Sequence, residues 1–151
     1  MANIKVKAAK LSASLKIRNE ELQILKENRE TSKEEVILIR GHGNDIELRL
    51  NPQDLIYLKA DGNYLEVFFY NRKVIQKKLI RSSLRSIAEV LPRNSFIRCH
   101  KSFIINGNHI ISVEGNARNL TLYLKNITMG IPVSRSRVKA ISVFLENLSK
   151  L

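Results

Sequence analysis

The chain has 151 residues, which is enough for one main domain with its own core and a short additional segment. Hydrophobic residues make up 44% of it, which excludes a chain that is disordered throughout. Lysine and arginine total 26 against 14 acidic residues, and the resulting charge of +12 indicates a polyanionic partner, either nucleic acid or an acidic membrane face.

Residues 1–35 differ in composition from the rest, since they contain no glycine, proline or aromatic residue. Positions spaced alternately by four and three predict a helix with a coiled-coil seam: Ile4, Ala8, Leu11, Leu15, Arg18, Leu22 and Leu25. Such a helix either packs on its own domain as a partly ordered leader, or serves dimerisation or docking of a protein partner. We therefore divide the chain into a helical segment, residues 1–35, and a second region, residues 36–151.

Short apolar or alternating runs separated by turn residues dominate the second region, and they predict strands. These runs are residues 36–40, 46–50, 55–59, 64–70, 73–80, 96–99, 103–105, 110–114, 120–124 and 128–131. Asn71-Arg72 is predicted to close a tight hairpin between two of them. Helices are predicted at 83–91, ended by Pro92, and from about Ser136 to Leu148. The fold class is therefore mainly β: an antiparallel β-sheet sandwich of about ten short strands in small sheets, with short peripheral helices and an N-terminal helical segment.

Catalytic and metal-binding patterns are missing from the sequence. His42, His100 and His109 lack the spacing of a zinc-binding helix, and no CxxC, P-loop or GxGxxG motif occurs. Cys99 precedes His100 directly, but neighbours in a strand point to opposite faces, so Cys99 is predicted to be a small core residue. We therefore expect no enzymatic activity, no metal and no cofactor.

Basic and polar residues concentrate at three predicted turns. Arg98, His100 and Lys101 lie where a strand enters a loop, and Arg135 and Arg137 lie where the last strand passes into the last helix. A third set, residues 61–64, forms a polar hairpin tip. Arginine and lysine can bind the acceptor pair of guanine in a major groove, and asparagine can bind adenine. From the residues alone, DNA binding and a merely solvated basic surface both stay open.

Three motifs in order resemble the LytTR-type DNA-binding domain of LytR/AgrA-like transcriptional regulators. Residues 95–106, Ser-Phe-Ile-Arg-Cys-His-Lys-Ser-Phe-Ile-Ile-Asn, are similar to its central signature. Residues 56–67 are similar to an earlier motif in which an apolar strand leads through a turn to Asn-Tyr. Residues 131–136, Ile-Pro-Val-Ser-Arg-Ser, resemble the closing motif. The resemblance covers about residues 50–151.

This resemblance implies an elongated fold of about ten strands in three small antiparallel sheets. It also implies contacts with successive major grooves of double-stranded DNA through loops. The implied contact residues are Asn63, Tyr64, His100, Lys101, Ser134, Arg135 and Arg137. Many relatives carry a receiver domain before this one. About 35 residues precede the β region here, so the resemblance implies a stand-alone, response-regulator-like protein.

Several of these residues also have a purely structural interpretation. Tyr64 could be a core or rim aromatic, and His100 could hydrogen-bond the backbone and orient its loop. Ser134 could be the N-cap of the last helix, a position compatible with phosphate binding. Ser102 and Asn106 are predicted to cap turns. Arg81, Arg85, Lys77 and Lys78 are most simply solvated charges or sites of general phosphate attraction.

The favoured hypothesis is a sequence-specific, double-stranded DNA-binding transcriptional regulator, with pairing on direct repeats implied by the resemblance. The alternative is a protein-interaction module, an anti-regulator that pairs through residues 1–35 and has only non-specific DNA affinity. RNA binding ranks last, because few aromatics are present to stack bases. A single cysteine, no signal peptide and no apolar run near ~20 residues predict a soluble cytoplasmic protein without a membrane contact of its own.

Overall fold

The computed structural model describes residues 35–149, which form two compact units, residues 35–106 and residues 107–149. Residues 1–34, which hold almost all of the predicted N-terminal helix, lie outside the described residues. The domain boundary near residue 35 and the role of the preceding segment therefore stay predictions.

The first unit contains seven strands and one short helix. Their bounds are β1 Ile37–Arg40, β2 Ile46–Leu50, β3 Leu55–Asp61, β4 Tyr64–Asn71, β5 Val74–Arg81, α1 Leu84–Ala88, β6 Phe96–His100 and β7 Phe103–Asn106. β1 and β2 form a separate antiparallel hairpin, and the other five strands form one sheet in the order β5-β4-β3-β7-β6. Every pairing is antiparallel, which the alternating short strands predicted.

The core of this unit lies under one face of the five-stranded sheet. The buried side chains of β1, Ile37 and Ile39, pack with residues of β3, β4 and β5 and with Leu84 and Ile87 of α1. Each fully buried aliphatic side chain contributes about 1.5–3 kcal/mol relative to an exposed one. The β1–β2 hairpin and α1 are thus held on the sheet by the hydrophobic effect, and the turns between the strands are left for other contacts.

The hairpin between β4 and β5 closes one residue later than the sequence pattern predicts. Asn71 pairs with Val74, and the two turn residues are Arg72 and Lys73. Both have positive φ, 53° and 67°, as the central residues of a type I′ turn require. The prediction of Asn71-Arg72 as the turn was therefore wrong. Asparagine adopts positive φ more readily than arginine or lysine, but the register of the two strands places the turn at Arg72 and Lys73.

The second unit contains three strands and the last helix. Their bounds are β8 Ile110–Asn116, β9 Asn119–Leu124, β10 Ile131–Val133 and α2 Val138–Ser149, and the sheet order is β10-β9-β8. Ile141 and Leu148 of α2 are buried, as its apolar spacing predicted. Gly107 lies so close to this helix that a Cβ there would come within 2.5 Å of Phe144 Cε2. The lack of a side chain at residue 107 therefore allows α2 to pack.

Two elements differ most from their predicted bounds. The predicted strand 128–131 is β10, residues 131–133, since Ile131 pairs with Leu122 and Val133 with Leu120, which places apolar residues on the buried face. The predicted helix 83–91 is only α1, because the amide of Val90 bonds to the carbonyl of Ile87 and closes a turn there. The fold class is confirmed: residues 35–149 contain ten short strands in three small antiparallel sheets with few helices. Neither helix among these residues is long and apolar enough to cross a membrane.

Asn106 is a buried polar residue that joins β7 to the start of β3. Its Nδ2 donates to the carbonyl oxygens of Pro52 and Leu55 at 3.2 and 2.9 Å. We expect Asn106→Ala to lower the free energy of unfolding by about 2–4 kcal/mol, since a buried carbonyl left without its donor costs about 1–3 kcal/mol. Urea denaturation measures this change. Exposed Asn94→Ala is the control and should stay within about 0.5 kcal/mol; equal effects would contradict the role of Asn106.

The ionisation of the Tyr57 phenol lowers the free energy of unfolding at alkaline pH. Its ring stacks on Phe68 at 4.2 Å, and burial, with the charge of Glu66, raises the pKa of its phenol from 10.0 to about 12. The folded state holds this proton more tightly than the unfolded chain does, so the protonated phenol stabilises the fold. This contribution to the free energy of unfolding is complete below pH ~10 and is lost as the pH rises toward ~12.

We expect the free energy of unfolding of the wild type to fall by about 1.4 kcal/mol more than that of Tyr57→Phe between pH ~9 and ~11. Urea denaturation of both proteins at the two pH values measures the difference. Parallel pH profiles for the two proteins would show that Tyr57 ionises in the fold as easily as in the unfolded chain.

Candidate nucleic-acid interface

The turn between β3 and β4 presents the first pair of predicted contact residues. Asp61 pairs with Tyr64, so Gly62 and Asn63 are the two turn residues. Gly62 has φ +61°, the conformation that favours glycine at the first position of a two-residue hairpin turn. Asn63 is exposed, and Tyr64 keeps 48% of its surface exposed. The interpretation of Tyr64 as a core aromatic is therefore wrong, and its side chain is available for contact.

The turn between β6 and β7 presents the second pair, His100 and Lys101. Three hydrogen bonds fix it: Arg98 Nη2 donates to the carbonyl of Lys101 at 2.8 Å, the Ser102 amide to His100 Nδ1 at 3.1 Å, and the Ala60 amide to the Ser102 carbonyl at 2.8 Å. The His100 ring also lies edge-on to Phe103 at 5.8 Å. His100 thus orients its loop, as one of the two interpretations held, and leaves the Lys101 side chain exposed.

The sheet brings these two turns together. β3 pairs with β7, with Lys59 opposite Phe103, so both turns leave the sheet at the same end. The hydrogen bond from Ala60 to Ser102 joins the two turns directly. Four of the predicted site residues, Asn63, Tyr64, His100 and Lys101, therefore belong to one surface of residues 35–106.

A basic cleft of about 800 Å³ lies beside the two turns, and Asn63 and Lys101 form part of its wall. Its other cationic residues are Arg40, Arg81, Arg85 and Arg98. No motif of the sequence marks Arg40, and Arg81 and Arg85 were predicted to be solvated charges or sites of general phosphate attraction. The hairpin register could have indicated Arg81, because it pairs with Tyr64 once the β4–β5 turn is placed correctly.

The remaining predicted contact residues, Ser134, Arg135 and Arg137, lie in the second unit, residues 107–149. Ser134 occupies the N-cap position of a 3-10 turn, Arg135–Arg137, that leads directly into α2. Its side chain makes no capping hydrogen bond; instead its carbonyl accepts from the Arg137 amide at 2.9 Å. The expected side-chain cap is therefore absent at Ser134. Arg135 is exposed and Arg137 partly exposed, at the positively polarised end of the helix.

Cys99 and Asn106 are both fully buried within the fold. Cys99 is fully buried at an irregularity of β6, and its Sγ lies 3.9 Å from the carbonyl oxygen of Phe103. The neighbouring His100 is only partly buried and points its Nδ1 at its own turn. The two side chains therefore do not form a Cys–His pair, as the alternation of the strand predicted.

Residues 47–146 match the model of the LytTR DNA-binding domain family. The transcriptional regulatory protein YpdB of Escherichia coli K12 is 32% identical over 96 residues, which cover 63% of this chain and 38% of YpdB. The sensory transduction protein LytT of Enterococcus faecalis is 30% identical over 107 residues, 71% of this chain and 42% of LytT. The chain thus spans well under half of the length of these relatives.

A solved structure from Bacillus cereus, described as a LytTR DNA-binding domain of a response regulator, has the same fold. Its TM-score is 0.56 and its sequence is 26% identical; the match covers 72% of this chain and 96% of that one. The fold of this chain therefore has a counterpart in a solved structure.

The hydrogen bond at His100 leads to a prediction about the Lys101–Ser102 turn. We expect His100→Ala to speed hydrogen exchange of the Ser102 amide about tenfold, since losing a bond of about 1 kcal/mol or more eases local opening. Amide exchange followed by NMR measures this rate. His42→Ala changes an exposed histidine of the β1–β2 turn and serves as the control. Unchanged exchange at Ser102 in the His100 variant would show that its amide is protected by other means.

Proposed function

Since this chain belongs to the LytTR family of DNA-binding domains, we propose that it is a sequence-specific transcriptional regulator that reads the major grooves of double-stranded DNA through its loops. It acts by binding and catalyses no reaction of its own. In this proposal it works in the cytoplasm, where duplex DNA is available to it. The observation that carries the proposal is the joining of the β3–β4 and β6–β7 turns at one end of the sheet, with exposed Asn63, Tyr64 and Lys101.

The chemistry of these side chains fits base recognition. The amide of Asn63 can form two hydrogen bonds with adenine, and the ammonium of Lys101 can donate to the acceptors of guanine. Tyr64 can contribute both an apolar surface and a hydroxyl. Because the backbone of both turns is fixed by the sheet, these groups are positioned before DNA arrives, which lowers the entropic cost of binding.

The start of α2 supports a second contact. Arg135, Arg137 and Lys139 are all cations near the N-terminus of this helix, and its first turn contains no acidic residue. Cations are unfavourable there by about 0.3–1 kcal/mol each, because the helix end already carries partial positive charge. A bound nucleic acid would offset this repulsion, so we propose that Ser134, Arg135 and Arg137 contact phosphates and a base edge.

Selection on fragmented genomic DNA tests the proposal. Bound fragments are sequenced at moderate and at higher salt. A shared motif that survives the higher salt supports sequence-specific binding and identifies the target. Uniform recovery that vanishes with salt would contradict it, since phosphate contacts alone give salt-sensitive, non-specific binding. The interaction-module hypothesis, with a protein partner on residues 1–35, would then come first. Spacing of the recovered motifs also tests the proposed pairing on direct repeats.

Arg135 should determine specificity more than overall charge does. We expect Arg135→Ala to reduce the preference for target over scrambled DNA by roughly 5- to 150-fold, the equivalent of about 1–3 kcal/mol for one base contact. Fluorescence anisotropy with both duplexes measures the ratio. Arg118→Ala, in the β8–β9 turn of the same unit, removes the same charge and should leave the ratio unchanged. Retained discrimination in the Arg135 variant would remove Arg135 from the interface.

A further inference from the structure

The basic cleft of the first unit has an unusual charge distribution. Arginine and lysine residues from five separate elements line it: Arg40 at the end of β1, Arg81 at the end of β5, Arg85 on α1, Arg98 on β6 and Lys101 in the β6–β7 turn. A single carboxylate, Glu89, lines it with them, which leaves a net charge of +4. Like charges gathered at one surface repel one another, and a bound anion relieves that repulsion.

The cations of the cleft differ from Lys77 and Lys78, which lie on the same sheet. Lys77 pairs with Glu66 at 3.2 Å and Lys78 with Glu47 at 3.8 Å, so their charges are already compensated. Among residues 35–149, by contrast, Arg81, Arg85 and Lys101 have no salt-bridge partner, and all three are exposed. The structure thus separates four basic residues that sequence analysis treated alike into a compensated pair, Lys77 and Lys78, and an uncompensated pair, Arg81 and Arg85.

The polar groups around these cations are fixed in ways that favour an anion. Arg40 Nη1 donates to the carbonyl of Asn44 at 3.0 Å, and Arg98 Nη2 donates to that of Lys101 at 2.8 Å. Each bond uses one of the five donors of a guanidinium and orients the others. Ser82, Ser83 and Ser86 add hydroxyl groups to the wall. Guanidinium and hydroxyl donors of this kind are typical of phosphate-binding surfaces.

The position of the cleft indicates which phosphate it binds. Asn63 and Lys101 belong both to the cleft and to the turns proposed to read bases, and Tyr64 pairs directly with Arg81. A site for a small ligand is usually apolar and enclosing. This cleft is instead lined by five cations from five elements, which suits a polymer that carries one charge per ~1.7 Å of its axis.

We propose that the cleft binds the sugar-phosphate backbone of the duplex that the two turns read, with Arg81 and Arg85 as phosphate contacts. This inference rests on the proposed function for the identity of the ligand. It extends the DNA-binding surface of this unit from the two turns to the β5–α1 connection and the β1–β2 turn. It also assigns a function to residues that no motif of the sequence marks.

The salt dependence of binding by the full chain tests the proposal. Each phosphate contact contributes about 0.9 to the slope of log affinity against log salt. We expect Arg81→Gln/Arg85→Gln to reduce that slope by about 1.8. The loss of affinity between about 50 and about 200 mM salt should then be roughly tenfold smaller than in the wild type. Anisotropy is recorded with a target duplex and with a scrambled duplex, and both should show the reduction.

A matched control lies on the same hairpin. Arg72 and Lys73 form the turn at the opposite end of β4–β5, and Lys73 lies roughly 26 Å from Arg81 along a strand that rises ~3.3 Å per residue. Arg72→Gln/Lys73→Gln removes the same two charges and should change the slope by less than about 0.5. Thermal unfolding of both double variants, expected to match the wild type, establishes that folding is intact.

Each outcome separates this inference from the proposed function. Equal slopes for the two double variants would overturn the cleft as a backbone site, whether or not the target is recognised. Equal affinity of the wild type for target and scrambled duplexes would overturn sequence specificity, while a lower slope in the Arg81/Arg85 variant would still support the cleft.

Calorimetric titration with inorganic tripolyphosphate distinguishes the source of the phosphate. One possible result is that the wild type binds tripolyphosphate tightly and that the Arg81/Arg85 variant loses this binding but keeps the wild-type slope of log DNA affinity against log salt. The cleft would then be a site for a small phosphorylated ligand. That result would overturn the backbone assignment. Weak tripolyphosphate binding together with a reduced DNA slope would support it.

Discussion

The antiparallel register of β3 is the constraint on which the candidate interface depends. β3 is the central strand of the five-stranded sheet and is buried from Leu55 to Leu58, with β4 on one side and β7 on the other. Because successive side chains of a strand point to opposite faces, these four buried residues pack on both faces of β3, and the hydrophobic core on each side sets this register. The register then brings the β3–β4 and β6–β7 turns to one end of the sheet. Asn106 reinforces it, because its amide joins the end of β7 to the beginning of β3.

The backbone of the β6–β7 turn is held by hydrogen bonds, whereas the Lys101 side chain of that turn is exposed. The backbone at Lys101 and Ser102 is held by Arg98, His100 and Ala60, while the Lys101 side chain stays in solvent. Loops commonly carry function because the strands and helices beneath them hold them in place. Here the hydrogen bonds that hold the loop extend to the tip of the turn. By accepting a hydrogen bond from the Ser102 amide, His100 helps to hold the turn from which the Lys101 side chain extends.

The basic residues discussed above fall into two groups, those with an acidic partner and those without one. Lys77 and Lys78 have acidic partners, and exposed pairs of this kind contribute little to stability, on the order of 0–1 kcal/mol. Arg81 and Arg85 have no such partner among the described residues, nor does the start of α2 have an acidic residue to match Arg135. The basic residues named here, all within residues 35–149, thus have different local environments.

The sequence by itself determined the fold class, most strands and the candidate contact residues. Alternating apolar residues reveal strands because their period is local, and the Asn-Tyr, Arg-x-His-Lys-Ser and Pro-Val-Ser-Arg motifs lie within short segments. Only the tertiary structure decided that Tyr64 is exposed, that His100 fixes its own loop and that Arg40, Arg81, Arg85 and Lys101 share one cleft. These facts depend on register and on contacts between residues far apart in the chain. A hairpin turn displaced by one residue, as at Arg72-Lys73, is enough to hide the pairing of Arg81 with Tyr64 from a linear sequence.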